Sequence, residues 1–113
     1  MGDSILLTIK KLLGIGDDYE YFDEDIIIHI NSVLMILNQL GIGPVTGFSI
    51  SDESATWSDF VDNLSMLEAV RSYVYIKVRL LFDPPTSSFT ITALENQIKE
   101  LEWRLNVMAE SKL

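Results

Sequence analysis

Several groupings in this chain hold residue types that could do chemistry. His29, the one histidine, would serve a Ser–His–Asp hydrolase only beside an exposed nucleophile. No nucleophile-elbow pattern accompanies it, and it sits in the apolar stretch Ile26–Leu37, so it reads as a core or interface residue. Asp17-Asp18, Glu20 and Asp23-Glu24-Asp25 are dense enough to suggest a cation site. The spacing of a calcium loop is absent, however, and acids crowd helix starts for an electrostatic reason of their own. Glu95, Glu100 and Glu102 lack the Glu-x-x-His element of a di-metal bundle. Gly41-Ile42-Gly43-Pro44-Val45-Thr46-Gly47 is glycine-rich, but it follows a predicted helix rather than a strand, has no lysine, and loses one amide to Pro44; it is a loop and not a phosphate cradle. The sequence therefore predicts no catalytic residue, no metal ligand and no cofactor: not an enzyme.

Composition narrows the remaining classes. The 113 residues are 48% apolar, which predicts one folded domain that buries roughly two-thirds of its unfolded surface. The absence of cysteine excludes a disulfide scaffold, a thiolate metal site and a thiol nucleophile. Met1–Leu13 has no small-residue cleavage site and makes a poor signal peptide, and Leu6 stands where a myristoylation signal wants Ser or Thr. Ile26–Leu37 is interrupted by His29, Asn31 and Ser32 and falls short of the ~20 residues of a membrane span. The expectation is a soluble protein without a membrane partner.

Net charge is −9 and unevenly spread. Between Leu12 and Val70 there is no lysine or arginine, and eleven carboxylates fall there: Asp17, Asp18, Glu20, Asp23, Glu24, Asp25, Asp52, Glu53, Asp59, Asp62 and Glu68. A solvated, solubilising surface explains this. So does a surface that must repel phosphates, as beside a conduit through which DNA slides. Gripping DNA needs basic clusters that this chain does not have.

The pattern predicts a mainly α fold, a small four-helix domain over residues 1–113. The first helix spans about Ser4–Leu13, capped by Asp3 or Ser4, stopped by Gly14, with Ile5, Leu6, Ile9, Leu12 and Leu13 as its apolar stripe. The second spans about Asp23–Leu40 and ends at Gly41, burying Ile26, Ile27, Ile30, Val33, Leu34, Leu37 and Leu40, with Ile28 and Ile36 partly off the stripe. The third spans about Leu64–Phe82, with Leu67, Val70, Val74, Val78 and Leu81 aligned, and Asp83-Pro84-Pro85 ends it. The fourth starts near Thr90–Thr92, where Thr92-Ala93-Leu94-Glu95 fits a capping box, and runs to about Ala109. Its stripe of Leu94, Ile98, Leu101, Leu105 and Met108 predicts antiparallel packing on the third helix rather than a free coiled coil.

Residues 41–63 form a long central loop in which Phe48-Ser49-Ile50-Ser51 alternates and Asp52-Glu53 turns. It reads as a short β-hairpin or as an ordered loop. Phe48, Ile50, Trp57 and Phe60 are many large apolar groups for a loop; they either lid the helical core or anchor a neighbouring subunit. Trp103 and Arg104 are similarly open: Trp103 covers the third or first helix, or cements a subunit contact beside Arg104.

The segments Ser72-Tyr73-Val74-Tyr75-Ile76-Lys77-Val78-Arg79-Leu80-Leu81-Phe82-Asp83-Pro84-Pro85 and Ala93-Leu94-Glu95-Asn96-Gln97-Ile98-Lys99-Glu100-Leu101-Glu102-Trp103-Arg104-Leu105-Asn106 together resemble the small head–tail connector (adaptor, head completion) proteins of tailed bacteriophages. The likeness extends more loosely to the aromatic loop from Gly41 to Phe60 with Trp57, which makes more than half the chain. It implies a subunit that joins others in a ring, a dodecamer by analogy, beneath the portal of the DNA-filled capsid. Such a ring bridges the portal protein to a tail-side completion or stopper protein, and DNA passes through without specific binding. The implied location is the head–tail junction of the virion, after synthesis in the host bacterial cytoplasm.

In similar connectors the end of the last helix reaches the portal, which gives Asn106–Leu113, with Val107, Met108 and Leu113, a docking role. The candidate subunit or portal interface is thus Phe48, Ile50, Trp57, Phe60, Trp103, Arg104, Val107 and Met108, and the candidate channel-facing acids are Asp17, Asp18, Asp52 and Glu53. A reading from a different class is an acidic DNA mimic that occupies a basic host or phage protein.

Overall fold

The computed structural model describes residues 3–110. Its helices are α1 (Ile5–Leu12), α2 (Asp23–Gln39), the single turn α3 (Trp57–Phe60), α4 (Leu64–Phe82) and α5 (Ser88–Glu110). The fold is mainly helical, and among the described residues no strand forms. The expected docking segment Asn106–Leu113 is described only as far as Glu110, so Leu113 lies outside the described residues.

Local chemistry sets the helix ends. Ser4 Oγ accepts the Leu7 amide at 3.2 Å and opens α1, and Asn63 Oδ1 does the same for Ser65 and Met66 at the start of α4, each filling a donor that the first turn leaves unpaired. Gly41 has φ +93° just past α2, a conformation that glycine adopts without a Cβ penalty. α4 ends at Asp83 before Pro84, because the ring of a proline disfavours helical geometry in the residue ahead of it.

α4 is the hub, packing mainly on α5 and α2, while α1 touches α2 and α4. Its buried face is Met66, Val70, Tyr73, Val74, Ile76 and Val78. This corrects the stripe read from spacing, because Leu81 is exposed and Leu67 only half-buried. A helix covered on two sides, as α4 is by α2 and α5, buries residues across more than one stripe. The α5 stripe holds as expected: Ile98 and Leu105 are buried, and Leu94, Leu101 and Met108 pack against the core. The helix starts earlier than the capping box implies, at Ser88, so Thr92 sits inside it. Ser87 Oγ instead accepts the Thr90 amide at 3.3 Å.

The central loop is ordered without a hairpin. The Asn31 side chain takes the place of a partner strand: its Oδ1 accepts the Ile50 amide at 2.8 Å and its Nδ2 donates to the Ile50 carbonyl at 2.9 Å. Seven residues on, and so on the same face of α2, Asn38 Nδ2 donates to the Pro44 carbonyl at 2.6 Å. At the far end of the loop an isolated bridge joins Ser4 to Thr56, with Ile5 N donating to Ala55 O at 3.0 Å and Trp57 N to Asp3 O at 3.1 Å. Asp59 Oδ2 accepts the Thr56 amide at 2.9 Å and closes the one-turn helix α3, which residue periodicity does not reveal.

Candidate assembly surfaces

The loop hydrophobics are interior. Trp57 is 0% exposed, Ile50 and Phe60 are buried, and Phe48 is half-buried with its ring 5.4 Å from that of Phe60. Trp57 Nε1 donates to Thr8 Oγ1 at 3.1 Å, which gives a buried indole its polar partner. The Arg71 guanidinium carbon stands 5.8 Å from the Trp57 ring centroid. These four side chains lid the helical core, while Val45 on the same loop is exposed. Gly43 shows how tight the lid is: a Cβ there would stand 2.5 Å from Phe60 Cε1.

On α5 the relation is reversed. Trp103 is 66% exposed and Val107 is exposed beside it, so most of the Trp103 side chain faces away from the core. Arg104 is exposed and pairs with Glu100 through two bonds of 2.8 and 3.0 Å. Met108 is half-buried against the core. Phe89 is 83% exposed at the start of the helix. Residues 89, 93, 96, 100, 103, 107 and 110 follow alternating steps of four and three and are all exposed. α5 thus carries two stripes, one in the core and one facing outward, with Phe89, Ala93, Trp103 and Val107 as apolar members of the second.

The acidic candidates divide between two places. Asp52 and Glu53 line a cleft of about 490 Å³ with Glu20, Tyr21 and Glu24. Ser54 donates to Asp52 Oδ1 from its hydroxyl at 2.5 Å and from its amide at 2.8 Å, and these bonds hold the Asp52 carboxyl below its usual range. Asp17 lines a different cleft of about 750 Å³, between α1 and α4, with Asp3, Lys11 and Arg71, while Asp18 is exposed in the turn. Part of the acidic run is also structural. The Lys10 ammonium is buried and bonds Asp23 Oδ1 at 2.8 Å and the Asp17 carbonyl at 3.1 Å.

His29 is half-buried, its ring 6.4 Å from that of Phe82. Among the described residues no three His, Cys, Asp or Glu side chains are placed to hold a metal ion. Among the described residues no helix is long and apolar enough to cross a membrane.

A family model described as phage connector protein matches residues 5–112. The chain belongs to this connector family. The matched span takes in every helix from α1 to α5, so membership rests on the whole architecture and not on α4 and α5 alone. No curated protein and no solved structure matches the chain. The surfaces that its own core leaves uncovered include the outward stripe of α5 and the acidic cleft at the start of α2.

Proposed function

We propose that this chain is a structural virion protein that assembles as a ring under the portal and joins the DNA-filled head to the tail. The observation that carries this reading is the connector-family match over residues 5–112. Its partners are other copies of itself, the portal protein and a tail-side completion protein. Its place is the head–tail junction, which it reaches after synthesis in the host cytoplasm.

Two features support the reading. A subunit with a closed core still exposes large apolar residues on two long helices, Trp103 and Phe89 on α5 and Ile28 and Met35 on α2, a pattern suited to assembly. The exposed acids Asp52 and Glu53, with Asp17 and Asp18, leave surface that phosphates avoid, which fits a ring through which DNA passes without being held. The DNA-mimic reading draws less support, because the carboxylates lie in separate clefts and Asp23 is spent on Lys10.

Antibody labelling of purified particles tests the assignment. Label at the neck between head and tail is the expected result. Absence of the protein from purified particles, with salt-sensitive one-to-one binding to a basic protein instead, contradicts it.

A further inference from the structure

We infer that α5 of one copy docks on α4 of the next in place of that copy's own α5, so that subunits join by handing this helix onward. The inference rests on the ring reading and names the contact that builds the ring.

The fold itself selects the occupant. α5 packs on α4, with Ile98 and Leu105 buried and Leu94, Leu101 and Met108 half-buried beside them. Tyr73 donates to Glu102 across the contact at 2.6 Å, and Lys77 of α4 lines one cleft with Glu95, Lys99 and Glu102 of α5. A neighbour's α5 brings the same side chains in the same order, so each of these contacts forms again between copies.

The connection permits the exchange. Met66 near the start of α4 and Ala109 near the end of α5 line one cleft, so the two helices run antiparallel and residues 83–87 turn the chain back. Within that turn Asp83 and Pro84 each precede a proline, which biases both toward extended backbone. Extended backbone carries α5 away from its own α4, and short connections of this kind invite exchange between copies.

α5 is also the helix whose release uncovers least for its length. Two of its 23 residues are buried, against four of eight in α1. It is longer than the ~12–15 residues below which a lone helix is marginal, and the Glu100–Arg104 pair supports it from within. Each copy gives a helix at one place and receives one at another. Such a contact repeats from copy to copy and closes into a ring when its rotation permits.

The chain has no cysteine, so thiols placed at positions 77 and 99 report this contact alone. Particles of the phage that carries this gene are assembled with Lys77→Cys/Lys99→Cys, treated with a flexible bismaleimide and denatured. The expected result is a ladder of dimers and higher multimers, with no internally linked monomer by mass spectrometry. Internally linked monomer from particles overturns the exchange and leaves the ring reading standing. A ladder that stops at dimers shows reciprocal pairing and overturns onward exchange. Wild-type particles that lack the protein overturn the ring reading and the exchange with it.

Wild-type particles also cover failure of the cysteine pair to assemble. Treated with an amine crosslinker, they should carry the Lys77–Lys99 link in multimer bands and not in the monomer band. That link in the monomer band overturns the exchange.

Discussion

The Lys10 ammonium lies 2.8 Å from Asp23 Oδ1, with the lysine side chain 1% exposed and the aspartate 26%. The two ends of this pair are not equivalent. Asp23 opens α2, where the helix dipole and partial solvation support its charge, whereas Lys10 has only Asp23 and one carbonyl to replace its water. Asp23→Ala is therefore expected to cost about 3 kcal/mol, because it leaves a buried cation without its counter-charge. Lys10→Met should cost about 1 kcal/mol, since it fills the same space without a charge. Urea unfolding midpoints measure both, and the reverse order would contradict this account of the pair.

Across the α4–α5 contact, Tyr73 donates its phenolic hydrogen to Glu102 Oε2 at 2.6 Å. Burial first, and Glu102 second, hold the phenol above its ordinary value of 10.0. A folded-state value above the unfolded one means that the folded chain binds this proton more tightly. The resulting stability is complete below about pH 10 and is lost as pH rises toward the folded value. Ultraviolet absorbance at alkaline pH should show a late phenolate phase that disappears in Tyr73→Phe, a change costing about 1–2 kcal/mol near neutrality. A late phase that persists in Tyr73→Phe would contradict the assignment.

The two tryptophans separate folding from assembly. Trp57→Ala removes a fully buried indole and should cost about 3–5 kcal/mol. Trp103→Ala removes an exposed one and should leave subunit stability within about 0.5 kcal/mol while abolishing incorporation into particles. Thermal melts of the purified subunits, set beside their content in virions, check both halves. A marked loss of subunit stability in Trp103→Ala would place that side chain in the core and contradict its exposure.

Gly43 has φ +90° and lies under the Phe60 ring. Gly43→Ala meets both an unfavourable backbone and a clash, so it should cost at least about 2 kcal/mol. Gly14→Ala has φ +83° but open space around its Cβ, and should cost less. Equal midpoints for the two variants would show that the ring contact adds nothing.

Much of this architecture is legible in the residues themselves. Gly14, Gly41 and Asp83-Pro84-Pro85 are local stops, so helix number and approximate ends for the four long helices follow from them. The loop is harder, because its order comes from distant partners. Ile50 is held by Asn31, nineteen positions away, and Thr56 by Ser4; an alternating run such as Phe48–Ser51 carries no mark of that. Thr56-x-x-Asp59 did carry a local signal for α3 as a capping box.

The site shows the same division. Trp57 and Trp103 are one residue type with opposite burial, decided by which surface α1 and α4 leave open. Periodicity aligns Leu94 with Ile98 and Leu105, and equally aligns Phe89 with Trp103. It does not tell which stripe meets α4, so the outward stripe of α5 emerged only once the packing was known.

The proposed role of this protein is to join heads to tails. Electron microscopy of lysates from a phage with a nonsense mutation in this gene tests it most directly. Unjoined or emptied heads beside separate, complete tails are the predicted result. Normal infectious particles in those lysates would contradict it.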